Sequence, residues 1–414
     1  MGVSTIIEDK GWLNPSESAY DLGALTVLPI NTSGIQKSKR FNAVKIQSQD
    51  NKIVSAYNNA TNQLQVSILD VNLSTLAVTI DSSVGIESAT SGWVCDVFSV
   101  EDNKFVLVYS ALSSGTIVVS KYSYNPVNGL ISLDSSDSSA ISISTRDWMT
   151  SVVFPEGRGL VMSSASTNAE VAQVTAFDTS STVGIEDSNS TTFAISSGSE
   201  SSNEEALFSQ YVNSDTALMV IPSSSGSYMA LIQDRGSSLS PLNLDESSAV
   251  SKSPSFYHSC SVAVSSDGTR GLFTATTFNA GSAVVHWNSQ GSTISASTEA
   301  STVLQAYSPS SVIHSRLQQV LGGEDIYVTT GLTNTGYTIN QESPCVMAYK
   351  FNSDNSFKVQ GPVIPTGEPS NIAAAGPETF PSFITTKVND RVLVTTTLNS
   401  SQDYCIQAIR NNGN

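Results

Sequence analysis

The chain has 414 residues, 39% of them hydrophobic but only 13% charged, about half the usual quarter of charged residues. A net charge of −17 argues against nucleic-acid binding, which needs Lys and Arg clustered against phosphate. No apolar run approaches the roughly 18 residues of a membrane-spanning helix, which leaves a water-facing chain with enough apolar residues for a large core.

In chain order, MGVSTIIEDKGW has no apolar h-region before Asp9 and Lys10, so synthesis without an export signal is expected. Ile6 stands where a myristoylation pattern needs Ser or Thr. Residues 1–23 read as an N-terminal extension, and ALTVLPINTSGI (24–35) alternates like a solvent-facing strand. The one compact basic run, Lys37-Ser38-Lys39-Arg40, reads as a solvated turn ahead of the strand FNAVKIQ.

SQDNKIVSAY (48–57) and VEDNKFVLVY (100–109) then spell nearly the same hairpin twice. Related strand–turn–strand units follow at 151–164, 209–221, 260–277, 316–331 and 384–397. Their turns align at Lys52, Lys104, Arg158, Thr216, Arg270, Asp325 and Arg391, spaced 52, 54, 58, 54, 55 and 66 residues. A third strand follows each hairpin, as in LQVSILDVN (64–72), TIVVSKYSY (116–124) and PCVMAYKFN (344–352). A fourth is clear in LAVTIDSSVGI (76–86) and LISLDSSDSSAISI (130–143). Four antiparallel strands at this period describe a β-propeller blade.

The seventh copy reaches Asn414 with three strands, and the strand at 24–35 supplies its fourth. The expected fold is therefore all-β, a seven-bladed β-propeller closed by an N-terminal strand that completes the last blade. Blades fall at about 40–91, 92–145, 146–203, 204–254, 255–308, 309–373, and 374–414 with 24–36. The fourth and sixth copies are the least regular.

Catalytic and cofactor motifs are sparse. There is no G-x-S-x-G elbow, H-E-x-x-H, phosphate-binding loop or calcium-loop spacing. The three histidines, His258, His286 and His314, lack zinc-ligand spacing, and His286 reads as a packed or edge residue. Cys95, Cys260, Cys345 and Cys405 contain no CxxC pair and read as buried strand thiols. The turn at Ser266-Asp267-Gly268-Thr269 is explained by the positive φ that Gly supplies. The sequons at Asn31, Asn59, Asn72, Asn189 and Asn399 are expected to be unused. No cofactor and no metal are expected.

One constellation carries chemistry. His258 lies 12 residues before Arg270, and His314 lies 11 before Asp325, where each innermost strand begins. The corresponding positions elsewhere hold Arg40, Gly92-Trp93, Arg146-Asp147-Trp148, Glu204-Glu205 and Glu378-Thr379. Arg40, Trp93, Arg146, Asp147, Trp148, Glu205, His258 and His314 are thus the expected rim of the channel mouth. That mixture suits a sugar or an acidic group, and Asp147 with Glu205 would suit glycosidase-type acid–base work at a suitable separation. Exposed loop-to-strand junctions are also polar without any function.

The units clearest at 42–72 and 95–124, inner strand, DNK turn, VLVY strand, Ser/Gly-rich turn and VVSKYSY strand, resemble β-propeller structural proteins of tailed-phage virions. The likeness extends to Ser/Thr/Gly-rich linkers such as DSSVGIESATSG. It implies a non-enzymatic tail or capsid-surface protein on a virus particle, in a symmetric multi-copy assembly with other virion proteins and possible contact with host-surface glycan. A glycan-binding or glycan-cleaving propeller and an intracellular protein-interaction scaffold are the alternatives.

Overall fold

The computed structural model describes residues 20–28, 41–59, 61, 63–88, 93–111, 115–142, 149–165, 168–194, 208–223, 226–247, 257–265, 268, 270–277, 281–290, 293–297, 313–314, 318–319, 326–334, 342–351, 357–363, 385–398 and 404–412. All regular structure among them is β-strand. β1 (Tyr20–Leu22) and β2 (Thr26–Val27) precede the first sheet, formed by β3 (Asn42–Lys45), β4 (Lys52–Asn58), β5 (Gln63–Val71) and β6 (Val78–Ser88). The second sheet has β7 (Trp93–Glu101), β8 (Lys104–Ala111), β9 (Thr116–Asn125) and β10 (Leu130–Ser142). The third has β11 (Met149–Val153), β12 (Arg158–Ala165), β13 (Asn168–Asp178) and β14 (Gly184–Ala194). The fourth has β15 (Phe208–Asn213), β16 (Thr216–Ser223), β17 (Gly226–Asp234) and β18 (Leu239–Ser247). The fifth has β19 (Tyr257–Val264), β20 (Arg270–Thr277), β21 (Gly281–Gln290) and β22 (Thr293–Ser297).

In the sixth sheet the described parts of the innermost strand are β23 (Ile313–His314) and β24 (Gln318–Gln319), followed by β25 (Ile326–Asn334), β26 (Glu342–Phe351) and β27 (Phe357–Val363). β28 (Thr385–Lys387), β29 (Val392–Leu398) and β30 (Tyr404–Asn411) make the last sheet. The first strands touch in succession, β3 to β7, β11, β15, β19 and β23, then β24 to β28 and β28 back to β3. Antiparallel sheets set radially in such a ring form a β-propeller.

The core lies between sheets rather than inside one. Ile46, Val54 and Leu64 of the first sheet pack against Cys95, Phe105 and Tyr122 of the second. Val106 and Val119 of the second meet Met149, Val161 and Phe177 of the third. A second strand covered on both faces reads as an unbroken apolar run, as in KFVLVYSA of β8. The outer strand β6, VTIDSSVGIES, is mostly exposed and correspondingly polar.

The ring closes through the N-terminal strand. Tyr20, Asp21 and Leu22 pair with Asn411, Arg410 and Ile409, and Thr26 and Val27 pair with Ile406 and Cys405. Closure therefore starts at Tyr20, inside the stretch expected to be an N-terminal extension, rather than at 24. The reason is packing: Tyr20 is buried against Ile326, Leu393 and Ile409, and burial pushes its phenol pKa up. Residues 29–35 of the expected strand lie outside the described residues.

Backbone pairing also revises one aligned position. Lys52, Lys104, Arg158, Thr216 and Arg270 pair with Asp70, Ser123, Asp178, Gln233 and Asn288 at the same point of their sheets. In the last sheet that point is Val392, opposite Arg410, one residue after the expected Arg391. The expected Asp325 of the sixth sheet lies outside the described residues.

Gly23 is the crossing point of the closure. Its amide donates to Ala408 O at 2.9 Å, and its carbonyl accepts from Gln407 Nε2 at 2.8 Å. A Cβ there would be driven into the backbone carbonyl of Leu76 in the first sheet. Gly184, by contrast, has open space around its α-carbon. Gly23→Ala is expected to cost about 3 kcal/mol and Gly184→Ala less than about 1 kcal/mol, as read by denaturant unfolding. Equal effects would contradict this account of closure.

Candidate functional site at the channel mouth

The inner ring fixes where the innermost strands begin. Asn42 is the first residue of β3, and its Nδ2 donates to Asp96 Oδ1 at 2.5 Å and to Cys95 O at 3.3 Å. Asp96 Oδ2 accepts from the Ser151 amide and hydroxyl in β11, both at 2.8 Å. Thr386 in β28 donates its hydroxyl to Ala43 O at 3.0 Å. Asn42, Asp96 and Ser151 are almost fully buried, so one carboxylate ties three adjacent innermost strands. These bonds align the strands in parallel and bring their starting residues to the same end.

At that end Trp93 opens β7, opposite Ala111. His258 lies in β19 at a register break between the Tyr257–Thr277 and Ser259–Thr276 pairs. His314 pairs with Gly331. Counted from Lys104 and Arg270, which begin their second strands, Trp93 and His258 share a level. His286 is mid-strand in β21, paired with Leu272 and Ser297. Arg40, Arg146, Asp147, Trp148 and Glu205 lie outside the described residues, and so does the Asp147–Glu205 acid–base pair.

Asp96 is the residue that repeat alignment missed. Counting back from the turns misplaces it, because Asn42 lies 10 residues before Lys52 and Asp96 only 8 before Lys104. The available signal was its own anomaly, one aspartate within the apolar run WVCDVFSV, since a buried carboxylate demands partners.

The opposite face holds the hairpin turns. The two Asp-Asn-Lys turns differ in shape: Ser48 takes positive φ (64°) in the first, Asn103 (56°) in the second. Both stitch sheets together. The Asn103 amide donates to Gln47 O at 3.3 Å, Gln49 Nε2 donates to Asn103 Oδ1 at 2.6 Å, and the Gln47 amide donates to Ser99 Oγ at 2.7 Å. Lys52 ion-pairs with Asp70 at 2.6 Å and Asp81 at 3.3 Å. Buried Lys121 reaches Glu101 at 2.6 Å and Thr179 O of the third sheet at 2.7 Å. Arg158 grips Glu186 of its own sheet at 2.7 and 2.8 Å and Asp234 of the fourth at 2.8 Å, a bidentate geometry that lysine cannot reproduce.

The outer strands are stitched as well. Ser135, Asp137 and Ser139 of β10 meet residues 183, 185 and 187 in step: Val183 N to Ser135 Oγ 3.2 Å, Ile185 N to Asp137 Oδ2 2.8 Å, Ser139 Oγ to Asp187 Oδ1 2.6 Å. The sequon Asn189 is buried, with Nδ2 donating to Glu186 and Gly236 O. Cys95 and Cys405 are buried thiols. Among the described residues no group of three His, Cys, Asp or Glu is placed to hold a metal, and no helix is long and apolar enough to cross a membrane.

With fold and site described, the class is a β-propeller, and comparison with known proteins extends this at the level of fold. No family model and no curated protein matches the chain. Among solved structures, the BP39L lectin from Burkholderia pseudomallei is similar at TM-score 0.57 and 10% identity, covering 92% of this chain and 98% of the lectin. The core factor of S. cerevisiae is similar at 0.53 and 9% identity, covering 96% of this chain and 62% of that one. A protein from Lactobacillus plantarum is similar at 0.52 and 10% identity, covering 79% and 85%.

Two outcomes follow. Asp96→Ala strands the Asn42 and Ser151 donors and is expected to cost about 3 kcal/mol in denaturant unfolding; a cost under about 1 kcal/mol would show that Asp96 does not tie the ring. The second concerns acid. Lys121 and Lys104 hold the Glu101 carboxyl below its ordinary range, Arg158 does the same to Glu186, and the Tyr124 hydroxyl and Lys52 to Asp81. Such groups bind fewer protons when folded, so their stabilisation is present above the unfolded pKa and is lost as pH falls through the lowered folded value. Tm should hold down to about pH 5 and fall below about pH 4, less steeply in Glu101→Gln. An unchanged acid slope in that variant would remove Glu101 from the account.

Proposed function

We propose that the chain is a non-enzymatic binding propeller, a rigid disc that docks other proteins as a structural or adhesion component of a virus particle. The observation that carries the docking reading is the stitching of neighbouring sheets at three radii. Asp96 ties the inner ring, Lys121 and Arg158 tie the turn face, and the Ser135–Asp137–Ser139 row ties the rim. A frame held this way presents its loops in fixed positions, as preorganised binding requires. The virion setting, on a tail or capsid surface and in several symmetric copies, is supported by the repeat units at 42–72 and 95–124, whose texture resembles phage propellers. Quantitative mass spectrometry of purified particles tests it: the chain is expected in a fixed multiple per particle, and its absence would overturn the setting.

A second reading is supported by the backbone positions of Trp93, first in β7, and His258, second in β19, near matching ends of two innermost strands. Tryptophan and histidine are residue types that suit glycan binding, and a lectin shares the frame. Glycan-array binding that falls at least tenfold in Trp93→Ala would support it. An array with no bound glycan would remove it, and hydrolysis of a bound glycan would overturn the non-enzymatic reading.

A further inference from the structure

The first sheet carries an uncharged polar cluster that its repeat does not call for. Tyr57 of β4 pairs with Gln65 of β5, and Gln65 pairs with Gly85 of β6. Tyr57 enters the core with Val392 and Val394 of the last sheet, so this face of the sheet is turned toward the last one. β4 runs away from the hairpin turn, which places its end and the start of β5 at Gln63 on the mouth side. Asn59 follows β4 there, two residues after Tyr57.

The register sets Ala111, Thr116 and Val118 of the second sheet where the first has Asn59, Gln63 and Gln65. Ala111 lies in the apolar core between the first two sheets, and Val118 packs against it. The third sheet has Ala165, Val171 and Gln173 at these points. Only the first sheet puts three amides where its neighbours put small or apolar side chains.

Asn59 organises them. Its Oδ1 accepts from the Thr61 and Gln63 amides, both at 3.0 Å, which leaves Nδ2 to donate to Gln63 Oε1 at 3.2 Å and Gln65 Oε1 at 3.0 Å. A side-chain amide has one accepting and one donating end, so holding both carbonyls on Asn59 turns both amino groups away from it. Gln63 Nε2 has no hydrogen-bond partner among the described residues. Gln65 Nε2 has only Ser67 Oγ at 3.5 Å, the far limit of such a bond. Tyr57 Oη and Ser67 Oγ, 2.8 Å apart, close the buried end. Gln63 and Gln65 are half-buried and Gly85 is exposed. The Gln63 amide lies over Gly85, where a Cβ would fall 2.3 Å from Nε2.

We propose that this cluster is a binding site for a neutral sugar, whose hydroxyl oxygens accept from Gln63 Nε2 and Gln65 Nε2. The chemistry selects the ligand. None of the clustered side chains is charged, and a chain of net charge −17 disfavours an acidic glycan or a phosphate. Two unspent amide donors held in place match uncharged oxygen acceptors, and a few fixed polar groups are what orients a small ligand. The Asn59 clamp bears the ordering cost before the ligand arrives. The proposal rests on the glycan reading and extends its contacts from the mouth outward onto the first sheet.

The test probes a printed array of neutral and acidic glycans with the full chain, then titrates the strongest binder by calorimetry. A neutral glycan is expected, with an affinity that salt barely changes because no charge is paired. Gln65→Ala and Gly85→Ala should each weaken it about fivefold or more. The first removes a donor, and the second displaces the Gln63 amide. Both should keep a Tm near the parent's, because Gln65 is half-exposed and the group that must yield to a Cβ at Gly85 is the end of a flexible side chain. Gln173→Ala, at the matching point of the third sheet where no clamp exists, should leave the affinity within about twofold. Binding lost in Trp93→Ala but unmoved by both first-sheet variants would overturn this proposal and keep the glycan reading at the mouth. A bound set confined to acidic glycans would also overturn it. An array with no bound glycan removes the glycan reading and this site with it.

Discussion

Everything in this molecule depends on one antiparallel pairing, that of Tyr20–Leu22 with Ile409–Asn411. A single blade cannot bury both faces, so each sheet relies on two neighbours, and the last sheet has its outer strand only if the N-terminal segment returns. The pairing joins residues almost the whole chain apart, which makes its loop-closure entropy a late and concentrated cost of folding. Side chains are recruited to offset it: Tyr20 enters the core with Ile409, Asp21 ion-pairs with Arg410 at 2.5 Å, and Gln407 donates to Gly23 O. Gly23 is required because the strand passes too close to the Leu76 carbonyl for any side chain.

The low charge content takes on a structural sense once the pairs are placed. Lys52, Lys104, Lys121, Arg158 and Arg410 all meet carboxylates, and Arg158 also reaches across to Asp234 of the next sheet. Exposed pairs contribute little, but Lys121 and the Asp234 carboxylate are nearly buried, and their partners must be kept. Serine and asparagine do the remaining stitching. What looked in composition like solvating texture in β10 is a row of acceptors and donors aimed at the backbone and side chains of the next sheet.

Much of the architecture was legible because hairpins repeat at nearly constant spacing and because covered second strands such as KIVSAYN and KFVLVYSA are unmistakably apolar. The misreadings share a cause. Turns and bulges add or remove residues without changing the apolar pattern, so Arg391 was aligned one residue early. Asn42 and Asp96 were hidden in the same way, by turns of different length. The closing strand was read at the alternating ALTVL, where Thr26 and Val27 do pair with the last sheet, but its earlier part YDL was missed, since its credentials are the burial of Tyr20 and the ion pair of Asp21, neither visible as periodicity. Most of the mouth, including Arg40, Arg146, Asp147, Trp148 and Glu205, lies outside the described residues, and there the sequence remains the guide.

Ring closure can be measured directly by amide hydrogen exchange on the intact chain. If the N-terminal strand completes the last sheet, peptides covering Tyr20–Leu22 and Ile409–Asn411 should be protected together, to the same degree as β4 and β8, and should lose protection together as denaturant is added. Fast exchange over Tyr20–Leu22 while Ile409–Asn411 stays protected would mean that the ring closes without it, and the account would fail.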